Sequence, residues 1–80
     1  MKLDLQRLKA ERIAKGYTQE DMAKMLGWSD RARYGKRESG FINMGADEFI
    51  QIASILGYDT DNLAIFFRED VPEKEQKEVK

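Results

Sequence analysis

Residues 18–40 read TQEDMAKMLGWSDRARYGKRESG, and this stretch decides the fold. Thr18 offers a hydroxyl as a helix N-cap, and Asp21 stands three residues on, close to a capping box with Asp in the Glu position. Met22, Met25 and Leu26 make the apolar stripe of a short helix that stops at Gly27. Ser29 or Asp30 caps a further helix, which runs to about Ser39 and ends at Gly40. That second helix carries four Lys/Arg in the seven residues 31–37, RARYGKR. Two short helices joined by a tight glycine turn make a helix-turn-helix arrangement. Its first helix can cross a DNA backbone, while the turn fixes the angle at which the second enters a major groove about 12 Å wide.

The same punctuation extends outward. Leu5, Leu8 and, more loosely, Ile13 line one side of a first helix ending at Lys15-Gly16. After a loop, FINMG, the run ADEFIQIASIL places Phe49, Ile52, Ala53 and Leu56 at i, i+3, i+4 and i+7, a helix stripe that stops at Gly57. Asp59 or Thr60 caps a last helix carrying Leu63, Phe66 and Phe67. The only Pro is Pro72, so no helix breaker of that kind interrupts the earlier segments. The expected fold class is all-α: five short helices in one domain over residues 1–67, followed by a charged, disordered tail over 68–80, REDVPEKEQKEVK. No internal repeat and no convincing strand period is present.

Composition narrows the function. Eighty residues allow one domain with a thin core. With no Cys there is no disulfide framework and no thiolate zinc site. With no His the commonest general base and metal ligand are missing. Asp47-Glu48 and Asp59/Asp61 fall at helix starts, where the helix dipole accounts for them; EF-hand spacing and a Gly-rich phosphate loop are both missing. The expectation is a protein that is not an enzyme, with no cofactor, no metal and no small-molecule ligand. No apolar run approaches the roughly 20 residues of a membrane span. The amphipathic N-terminus MKLDLQRLKAERI differs from a signal peptide, which points to the cytoplasm.

The formal net charge of −1 hides an asymmetry. Residues 1–40 carry ten Lys/Arg against six Asp/Glu, a net +4, and residues 41–80 carry four against nine, a net −5. Such a distribution can turn one face toward a polyanion while the mean stays near neutral.

The ordered set Leu8-Lys9…Arg12, Gly16-Tyr17-Thr18-Gln19, Ala23…Leu26-Gly27, Tyr34, Lys36 and Glu38…Gly40 resembles the Cro/CI-type (XRE) helix-turn-helix phage repressor family, of lambda-repressor-like fold. The later FIQIASILGYDTDNLAIFF is similar to that family's fourth and fifth helices, so the resemblance spans about residues 5–67. It implies a sequence-specific DNA-binding transcription regulator acting on an operator. Gln19 would contact a phosphate or brace the recognition helix. Arg31, Ala32 and Arg33 would sit where side chains reach base edges, with Lys36 near the backbone. Arg12 and Glu38 would form a structural ion pair between the first and third helices. The resemblance also implies a homodimer, and an alternative in which the same fold acts as a modulator of a phage switch by covering a partner repressor.

Several residues invite further expectations. Glu11 and Arg37 stand where the family has aliphatic residues, and their opposite signs predict a compensating salt bridge. Gly35 lies inside the third helix, where it costs about 1 kcal/mol against Ala. Asp30 brings negative charge beside the cationic face. Trp28 is expected in the core or against the turn, and Tyr17, Tyr34 and Tyr58 at core edges with their hydroxyls in water. Ile65, Phe66 and Phe67 are expected as a protein contact surface, because neighbouring helical residues point about 100° apart and cannot both face inward.

Overall fold

The computed structural model of the protein describes residues 2–69. Four α-helices, α1 (Leu5–Ala14), α2 (Gln19–Met25), α3 (Arg31–Glu38) and α4 (Ala46–Ile55), are followed by a 3₁₀ helix, Thr60–Phe66, giving the five helical segments of an all-α helix-turn-helix domain. One element had no sequence signal: β1 (Lys2–Leu3) and β2 (Phe67–Arg68) pair antiparallel, Leu3 opposite Phe67. The Asp4 amide donates to the Phe66 carbonyl at 2.6 Å beside them, so the two ends of the fold are tied together. Two-residue strands are too short for a period of two to be read. The expected tail over 68–80 lies outside the described residues except for Arg68 and Glu69.

Caps set the helix boundaries. Thr18 Oγ accepts from the Asp21 amide at 3.0 Å and Asp21 returns the bond to the Thr18 amide at 2.9 Å, the capping box expected there. Asp30, not Ser29, caps α3 by accepting from the Ala32 amide at 2.9 Å. Asp59 caps the 3₁₀ helix at the Asp61 amide, 3.1 Å. The last helix is 3₁₀ rather than α, broken at Asn62, as short terminal turns often are.

The α2–α3 turn needs a left-handed residue, and Gly27 supplies it at φ 79°. The Gly27 amide then reaches the Lys24 carbonyl at 3.0 Å and the Trp28 amide reaches Ala23 at 2.8 Å, closing α2 and aiming α3.

Leu8, Met22, Ala23, Tyr34, Phe49, Ile52, Ala53, Leu56 and Phe66 form the buried core. Three sequence expectations change here. Ile13 is 57% exposed and Met25 46% exposed, so neither belongs to the core stripe of its helix. Both lie in the last turn of a short helix. Tyr34 is fully buried rather than at an edge, because its hydroxyl finds an internal partner, Glu38 at 2.8 Å.

Phe66 is a correction to the contact surface expected for Ile65, Phe66 and Phe67. It has no exposed area and packs edge-on against Phe49 (5.6 Å between centroids) and Tyr58 (5.2 Å). Phe67 takes up extended backbone and remains 37% exposed, as does Ile65. Phe66 points inward because it closes the 3₁₀ helix over α4, while the strand that starts at Phe67 turns the next ring onto the flank of Phe49.

Candidate nucleic-acid interface

The third helix is held from behind by one buried carboxylate. Glu38 accepts from Arg12 Nε at 2.8 Å and Arg12 Nη2 at 3.2 Å, from Gln19 Nε2 at 3.0 Å, and from the Tyr34 hydroxyl. Arg12 also donates to the Tyr17 carbonyl at 2.7 Å. The Arg12–Glu38 pair expected from sequence is therefore the centre of a network that joins α1, α2 and α3. Both side chains are more than nine-tenths buried. A buried pair repays its desolvation only when the remaining donors and acceptors are also satisfied, and among the described residues no buried side-chain polar atom lacks a partner.

Burial opposes ionisation of Glu38, but the hydrogen bonds from Arg12, Gln19 and Tyr34 outweigh it and hold the carboxyl below its ordinary 4.5. Burial, then the Glu38 charge, pushes the Tyr34 hydroxyl up, so it stays a donor. Glu48 is also lowered, by Arg37 and the Gly45 amide. Carboxyls depressed in the fold contribute stability that is present above their unfolded values and is lost as pH falls through the folded ones. The thermal midpoint should be flat above pH 5 and fall steadily below the ordinary 4.5, and the Glu38→Gln variant should lose much of that slope in a pH series of melts.

Gln19 ties α2 to α3 by donating to Glu38, the arrangement that the bracing role asks for. Its amide lies over α3 where Gly35 has no side chain: a Cβ there would stand 3.0 Å from Gln19 Oε1. The glycine that local propensity disfavours thus leaves room for the Gln19 side chain to lie against α3.

The salt bridge expected between Glu11 and Arg37 does not form. Glu11 binds Arg7 at 2.8 Å on its own helix and the Tyr58 hydroxyl at 2.8 Å, while Arg37 binds Glu48 of α4 at 2.9 Å and the Arg33 carbonyl at 2.8 Å. The reason is angular. Each residue precedes a partner in the Arg12–Glu38 contact, so each is turned about 100° away from it, onto opposite flanks.

On the outer side of α3, Arg31, Ala32, Arg33 and Lys36 are all exposed. Among the described residues no ion pair occupies Arg31, Arg33 or Lys36. Arg33 is not aimed straight outward: its guanidinium lies 4.4 Å from the centroid of the half-buried Trp28 ring, and Arg37 lies over the same ring at 5.0 Å. Trp28 is thus a platform at the turn that orients two cations. Asp30 is engaged at the Ala32 amide and the first turn of α3 has no other acid.

Sequence reading missed three residues that shape this face. Trp28 was assigned only a packing role, although its place just after Gly27 and just ahead of the helix that carries Arg33 and Arg37 was a usable signal. Glu48 was seen as a helix-start acid and not as the partner of Arg37. Phe41, directly after the Gly40 cap, is 78% exposed at the end of α3 and drew no expectation.

No helix of the described residues is long and apolar enough to cross a membrane. The family model described as helix-turn-helix matches residues 8–63, more than half of the chain. No curated protein and no solved structure matches it.

Proposed function

Because the chain belongs to the helix-turn-helix family, as a DNA-binding transcription regulator of the XRE kind, we propose that it binds an operator sequence-specifically in the manner of a Cro/CI-type phage repressor. The observation that carries this reading is the outer face of α3: Arg31, Arg33 and Lys36 are exposed and, among the described residues, in no ion pair, on a helix locked from behind. Arg31 offers a bidentate donor to a guanine edge. Lys36, one turn on, reaches a phosphate. Arg33 on Trp28 is pre-set along the groove wall. Ile65 and Phe67 support a homodimer, in which two copies of α3 would read half-sites about one DNA turn apart. The chemistry requires no catalytic group and no cofactor, and the protein acts in the cytoplasm.

Selection from a random duplex library, followed by titration of the recovered DNA, tests the reading. Arg31→Ala should lose about ten-fold or more for the selected site with little effect on random DNA. Lys36→Ala should weaken both alike and reduce the slope of log K against log salt by about 1. Both residues are exposed, so both variants should melt like the parent. Recovery of no preferred DNA, together with a stoichiometric complex with another repressor, would replace this reading with that of a switch modulator.

A further inference from the structure

We propose that Phe41, with Ala32, forms an apolar seat that reads the C5-methyl group of thymine in the major groove, an inference that rests on the DNA-binding reading above. The outer face of α3 is unusual for a base-reading surface. Ala32, Gly35 and Lys36 share one side of the helix at i, i+3 and i+4. Two of the three thus present nothing longer than a methyl group. With Phe41, Arg31 and Gln19 they line a shallow depression of about 350 Å³. Gln19 fills the space that Gly35 leaves and closes the floor toward α2.

Phe41 is 78% exposed, the most exposed large apolar side chain described. Its loop is not loose at this point. The Ile42 amide donates to the Lys36 carbonyl at 3.1 Å and the Phe41 amide reaches Ser39 Oγ at 3.4 Å, so the ring is presented from backbone anchored to the end of α3. A phenyl ring has no donor or acceptor with which to read a hydrogen-bonding edge. The thymine methyl is the one apolar group that the major-groove edges of the base pairs display. The cations beside the depression, in no ion pair among the described residues, fit a polyanion and position the ring against the groove rather than against an apolar protein face. Small residues at 32 and 35 let the helix backbone come close to the bases, which brings thymine methyl groups within reach of the depression that Ala32 and the ring line.

The test uses the full chain and duplexes recovered by selection. Each thymine is replaced singly by uracil, which differs only in lacking the methyl group, and binding is titrated for the parent and for Phe41→Ala. The parent should bind about three- to five-fold more weakly at one or two thymines of each half-site, the loss expected for one buried methyl. Phe41→Ala should bind thymine and uracil duplexes alike while keeping the parent's salt dependence and far-ultraviolet circular dichroism. Indifference of the parent to every replacement would overturn the inference, and so would a thymine preference that survives in Phe41→Ala. A uniform loss with the preference intact would make Phe41 a backbone contact. If Phe41→Ala instead changes only self-association, the ring belongs to a protein interface. Failure to select any DNA would strike the underlying function, not this seat alone.

Discussion

Glu38→Ala is expected to lower the unfolding free energy by about 3–5 kcal/mol, the range for removing one partner of a buried ion pair. Four donor groups converge on this carboxylate: two from Arg12, one from Gln19 and one from Tyr34. Deleting it leaves a buried guanidinium without a counter-charge and a buried hydroxyl without an acceptor. Small domains have only about 5–15 kcal/mol in total, so a substantial unfolded fraction should be visible without denaturant near physiological temperature. Glu38→Gln keeps an acceptor in place and should lose less. Replacing Arg12 and Glu38 together by Met and Leu should cost less than Glu38→Ala alone, because no unpaired charge remains. Urea titrations of the three variants measure all of this. A loss below about 1 kcal/mol in Glu38→Ala would mean that water enters and serves the orphaned groups, and that the network does not hold α3 in place.

Phe66→Ala is expected to destabilise by a similar amount, about 3–5 kcal/mol, as for a large aromatic removed from a packed core. The ring has no exposed area and is in edge contact with both Phe49 and Tyr58. It also closes the 3₁₀ helix at the point where the two strands meet. Phe67→Ala removes a ring that is 37% exposed and touches only one aromatic partner, so its stability loss should be markedly smaller. Chemical denaturation combined with sedimentation separates the two roles. Phe66→Ala should shift the unfolding midpoint, whereas Phe67→Ala and Ile65→Ala should act on self-association. Equal stability losses at 66 and 67 would contradict the inward and outward assignment.

The order and ends of the helices were legible before any coordinates. Thr18 with Asp21, the glycines at 16, 27, 40 and 57, and the Phe49–Leu56 stripe each state their role within a few residues of chain. The Arg12–Glu38 pair was legible only through family resemblance, since 26 residues separate its members. The pairing of Glu11 with Arg37 was wrong for a physical reason: opposite charge on two packed helices says nothing about which flank each occupies. Phe66 and Phe67 show the same limit. Sequence required that they diverge; which one turned inward depended on where the 3₁₀ helix gave way to strand. Gly35 reads as a local defect, and only the fold shows that the Gln19 side chain lies over it.

By itself, the sequence determined an all-α helix-turn-helix domain with its cations concentrated on one short helix, because caps, glycine breaks and apolar periodicity act through neighbours along the chain. Tertiary structure alone decided which charges are spent inside and which remain for a partner. Arg12 and Arg37 are consumed by Glu38 and Glu48, Arg33 rests on Trp28, and Arg31 and Lys36 remain outward. That division depends on the rotation of each helix about its axis, which is set by the packing of the whole core and not by any local stretch of residues.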